Sequence, residues 1–85
     1  MTNQDIARRL RERAAALARE GNNLYRIRAF RQAAMAILAL PDEAADLVAR
    51  AGPRSLEGVP GIGKSLAGTI AGLATGAAAA PHTAA

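Results

Sequence analysis

The sequence predicts an all-α domain of four or five short, compactly packed helices. Apolar residues recur at spacings of three and four, as in Ile6, Leu10, Ala14 and Leu17, the period of one helix face rather than of a strand. Helix punctuation separates these stretches at Gly21-Asn22-Asn23, Pro41 and Gly52-Pro53. With 85 residues and 2% aromatic content there is room for one domain and a thin core of Leu, Ile, Val and Ala. A core of that kind supplies only about 3–5 kcal/mol, so the helices must pack well.

Thr2 with Asp5 three residues on forms a loose capping box, and the Ile6 stripe then runs for about four turns to an end near Gly21. Arg8, Arg9, Arg11, Arg13 and Arg19 lie mostly off the stripe, with Glu12 spaced to pair with Arg8 or Arg9. This reads as a solvated face. Glycine ends the first helix and asparagine starts the second, Leu24 to Leu40, whose buried face is Phe30, Ala33 or Ala34, Ile37 and Leu40. Arg26, Arg28 and Arg31 punctuate its first two turns.

Pro41 stops that helix, and Asp42-Glu43 suits the acidic first turn of a third, to about Arg50. Ser55 caps a single turn holding Leu56. The last helix runs from about Lys64 to Thr75, with Leu66, Ile70 and Leu73 on one face. Gly68 and Gly72 within it each cost about 1 kcal/mol of helix propensity, a cost accounted for either by close approach to a neighbouring helix or by simple tolerance. Residues 77–85 form a low-complexity, flexible tail that holds the only histidine, His82. The expected core is Ile6, Leu10, Leu17, Phe30, Ile37, Leu40, Leu47, Leu56, Ile62, Leu66, Ile70 and Leu73, with the first two helices an antiparallel pair against the C-terminal elements.

Composition excludes several functions. Without cysteine there is no disulfide framework, thiolate metal site or cysteine nucleophile. No apolar run approaches the ~18 residues of a membrane span, and the N-terminus lacks a signal-like stretch, so a cytoplasmic protein is the expectation. The net charge of +4 is concentrated: residues 1–41 hold eight arginines against Asp5, Glu12 and Glu20. Lys64 is the only lysine.

Backbone geometry, rather than side-chain bulk, is specified at Leu56 to Leu73, LEGVPGIGKSLAGTIAGL. Pro60 fixes its own φ and biases Val59 toward an extended conformation, while Gly61 and Gly63 can take positive φ and admit another backbone. The tight turn ends at a helix N-terminus, where amides and the macrodipole favour an anion by about 0.3–1 kcal/mol. Lys64 adds a full charge. The absence of a preceding strand and of Walker A spacing argues against a nucleotide-binding unit. The turn offers contact with a phosphate without reading a base.

The stretch resembles the helix-hairpin-helix motif of sequence-independent DNA-binding proteins, in which the apolar hairpin residue, here Ile62, plugs the gap between two helices. Taken with GNNLYRIRAFRQAA at Gly21 to Ala34 and the closing LATG, residues 3–76 resemble the N-terminal helix-hairpin-helix domain of the family X DNA polymerases, most closely the bacterial branch. The resemblance implies a fold like the N-terminal domain of DNA polymerase beta, over residues 1–76. It also implies a module, an accessory of DNA repair, that grips the 5′-phosphate side of a nick or short gap. Its phosphate contacts would be Gly61, Gly63, Lys64, Ser65, Arg26, Arg28 and Arg31. A monovalent cation, Na⁺ or K⁺, would sit on the backbone carbonyls of Glu57, Val59 and Ile62.

Some members of that family also act as a 5′-deoxyribose-phosphate lyase through a lysine on the last helix. Here Thr69 takes the nucleophile position, Ser65 that of a neighbouring pocket lysine and Phe30 that of a pocket tyrosine, whereas Arg26 keeps the charge of a phosphate-contacting lysine. A hydroxyl forms no imine, so no enzymatic activity is expected, and the polymerase carboxylates are absent from these residues. The expected partners are DNA and a protein supplying catalysis, with the chain a monomer or weak dimer. A protein-interaction or dimerisation module, and a residual lyase using Lys64, are the alternatives.

Overall fold

The computed structural model describes residues 1–75, which form five helices and no strand. They are α1 (Asn3–Arg19), α2 (Leu24–Ala39), α3 (Ala44–Ala51), α4 (Arg54–Glu57) and α5 (Lys64–Thr75). The expected tail, residues 77–85 with His82, lies outside the described residues, as does Gly76, the expected stop of the last helix.

The predicted box opens α1: the Thr2 hydroxyl accepts from the Asp5 amide and the Thr2 amide donates to the Asp5 carboxylate, both at 3.1 Å. At its other end Gly21, with φ of 71°, donates to Ala18 while Asn22 donates to Leu17 at 2.9 Å. This is a Schellman motif, and it turns the chain sharply into α2. Asn23 caps α2 by accepting from the Tyr25 amide at 2.7 Å, and the helix stops at Leu40, held extended before Pro41. Glu12 pairs with neither Arg8 nor Arg9. The ion pair among the described residues is Arg8–Asp5 at 3.4 Å, one turn toward the N-terminus.

α3 begins two residues later than expected, because Asp42 and Glu43 serve a different purpose. The Asn3 side chain donates to the Asp42 carbonyl (2.9 Å) and accepts from the Ala44 amide (2.7 Å), and the Asn3 amide donates to the Glu43 carboxylate (2.9 Å). One residue of α1 thus caps α3 from outside, and the two helix starts are clipped together. Ser55 does not cap α4 from its N-cap position, which Pro53 occupies; its hydroxyl donates back to the Gly52 carbonyl at 2.7 Å.

α1 and α2 make the most extensive helix-to-helix contact, while α3, α4 and α5 pack on one another and α5 also touches α1. Ile6, Leu10, Leu17, Phe30, Ile37, Leu56, Ile62 and Ile70 are buried as predicted. Leu40, Leu47, Leu66 and Leu73 are only half-buried against that core. Their place is taken by Ile27, Val48 and a set of alanines, among them Ala7, Ala33, Ala44 and Ala67. Small residues let helices approach closely enough for a thin core to close. Gly68 is not one of them: a Cβ there would meet nothing within 4 Å. Beside it opens a cleft of about 290 Å³ between α1, α2 and α5.

Candidate functional site

The turn between α4 and α5 is built by its backbone. Val59 donates to Leu56 at 3.1 Å and Ile62 donates to Val59 at 3.0 Å, closing Val59-Pro60-Gly61-Ile62 with proline second and a left-handed glycine third, φ 91°. That is the residue pattern of a type II turn. A Cβ on Gly61 would lie 3.5 Å from the Ala36 Cβ and 3.6 Å from the Gln32 carbonyl oxygen, so the turn rests against α2 at van der Waals distance. Ile62 enters the core with 3% of its surface exposed. It fills the space under the turn.

Gly63 is not left-handed, contrary to the sequence expectation, and its surroundings are open. One left-handed residue completes the turn. Gly63 instead starts α5, its carbonyl accepting from the Ala67 amide at 2.8 Å. The amides of Lys64, Ser65 and Leu66 therefore precede the helical ladder and carry the positive end of the macrodipole. No acidic residue lies in that first turn to offset it.

A groove of about 610 Å³ runs between this turn and α2, and Arg26, Gly61, Gly63, Lys64 and Ser65 all line it. Five of the seven predicted phosphate contacts are thus brought together. Burial of Ile27, Phe30, Ala34 and Ile37 fixes the rotation of α2 and aims Arg26 at the turn. Arg26 and Lys64 are both exposed, and no carboxylate pairs with either among the described residues. Arg28 and Arg31 are not in the groove. At about 100° per residue they lie about 200° and 140° around α2 from Arg26.

Tyr25, Ala29 and Gln32 also line the groove, at spacings of four and three. That helical row was legible beside Arg26 but carries no charge to draw notice. Of the carbonyls assigned to a cation, that of Val59 accepts from Ile62, leaving each of Glu57, Val59 and Ile62 at least one lone pair for a hard monovalent ion. Such an ion would add positive charge beside the turn. Thr69, which the sequence resemblance sets at the lyase position, donates its hydroxyl to the Ser65 carbonyl at 3.2 Å and lies with Phe30 on the separate cleft edged by Arg9 and Arg13.

Among the described residues no helix is long and apolar enough to cross a membrane, and no three His, Cys, Asp or Glu side chains cluster as a metal site. The family model for a helix-hairpin-helix domain matches residues 1–76. No curated protein and no solved structure matches significantly.

Proposed function

We propose that this chain, which belongs to the helix-hairpin-helix domain family, is a sequence-independent DNA-binding module that grips backbone phosphates. Domains of this family in general bind DNA without reading its sequence. The observation that carries the reading is the convergence of Arg26, Lys64 and the α5 N-terminus on one groove. Two unpaired cations and three unladdered amides there suit an anionic oxygen of a backbone phosphate. The preferred substrate is nicked or gapped DNA with a 5′-phosphate, in the manner of a family X polymerase N-terminal domain and as an accessory of repair. The module is not an enzyme, because Thr69 offers a hydroxyl where an imine needs an amine.

The test is fluorescence anisotropy of labelled gapped DNA, with and without its 5′-phosphate, against intact duplex at several salt concentrations. Binding should be strengthened by the 5′-phosphate and weakened by Lys64→Ala, which should lower the log–log salt slope by about one. Absence of binding at low salt would sink the proposal. Borohydride trapping on an abasic substrate, with Lys64→Ala as control, should give no adduct; a Lys64-dependent adduct would restore the lyase reading.

A further inference from the structure

The arginines left out of the groove belong to a surface of their own. α2 buries one side through Ile27, Phe30, Ala33, Ala34 and Ile37 and presents a second to the turn. Along its third side Leu24, Arg28, Arg31, Met35 and Leu38 follow one another at spacings of four, three, four and three. That spacing aligns them in one row. All five are exposed, the three apolar chains by 57, 70 and 48% in order.

Single exposed hydrophobics are ordinary; three in register with two unpaired arginines are not. The row is about 21 Å long, four turns of helix. Three occupants compete for it. A DNA backbone would satisfy the arginines but offers little apolar surface to Leu24, Met35 or Leu38. A second copy, paired antiparallel about a two-fold axis at the row's centre, would set Arg31 against Arg31. A helix with carboxylates at its middle and leucine-like residues toward its ends meets every position.

We propose that this face of α2 docks an acidic amphipathic helix of a partner protein, its carboxylates on Arg28 and Arg31 and its apolar residues on Leu24, Met35 and Leu38. None of these five residues lines the groove, so the surface stands or falls independently of phosphate binding there. Both can be occupied at once.

Two synthetic helical peptides test it, carrying Leu-Glu-Glu-Leu-Leu at the same spacing, one in forward and one in reverse order along the helix. Amide chemical-shift mapping on the whole chain should show one of them shifting the α2 row while leaving Gly61 and Gly63 unmoved. The double substitution Arg28→Glu with Arg31→Glu should weaken that peptide by about tenfold or more and admit its lysine counterpart. Met35→Glu should abolish binding of either. Circular dichroism should show both variants folded, as their exposed positions require. The proposal is overturned if neither peptide binds or if the shifts fall on the groove, as bulk charge attraction would produce. It is equally overturned if Met35→Glu abolishes self-association in sedimentation, or if duplex DNA shifts the row.

Discussion

Gly61 and Gly63 stand two residues apart and do different work. Gly61 needs a positive φ, and the space around it would admit a methyl group, so Gly61→Ala should lower stability by about 1–2 kcal/mol through backbone strain. Gly63→Ala, with an ordinary φ and open surroundings, should stay within about 0.5 kcal/mol. Urea midpoints measured side by side separate the two. The sequence could not distinguish them, because glycine permits a left-handed backbone without requiring one. At the start of α1, hydrogen bonds from the Thr2 amide and hydroxyl hold the Asp5 carboxyl below its ordinary value of 3.8, with Arg8 adding a smaller favourable field. A depressed carboxylate pKa contributes stability that is present above the unfolded value and lost as pH falls through the folded one. Thermal stability should therefore drop as the pH goes below about 3.8. That acid arm should be shallower in Asp5→Asn.

The helices themselves were legible. Four boundaries fall where caps or breakers are written into the chain, at Thr2, Gly21, Asn23 and Pro41, and α5 spans Lys64 to Thr75 as its apolar spacing requires. The start of α3 was not, because its cap arrives from Asn3, some forty residues away, and no local pattern records it. Asn3→Ala removes the acceptor of the Ala44 amide and the donor to Asp42 and should cost about 1–2 kcal/mol, as loss of an N-cap does, read from urea melts. Gly68→Ala should do the reverse. With nothing within 4 Å of a Cβ there, the helix gains up to about 1 kcal/mol of propensity, visible as a raised melting temperature.

At the scale of the whole molecule, the groove was half legible. Gly61, Gly63, Lys64 and Ser65 are contiguous and announce themselves, and Arg26 joins them across space only because the buried face of α2 sets its rotation. Arg28 and Arg31 share Arg26's charge and stretch of sequence but not its direction, which composition alone does not encode. The same arithmetic explains the core. Leucines at the right period turned out half-buried while alanines filled the close contacts. The clip at Asn3 bears on the order in which the chain assembles. α1 and α2 are joined by a short turn and can zip together early, which brings Asn3 to the end of α2. Asn3 has a helix start to cap only once α3 has formed, however, and α3 packs on α4 and α5 rather than on that pair. The clip should therefore form on the native side of the folding barrier. In stopped-flow experiments Asn3→Ala should leave the refolding rate nearly unchanged and speed unfolding, so that this residue acts chiefly as a latch on the lifetime of the native state.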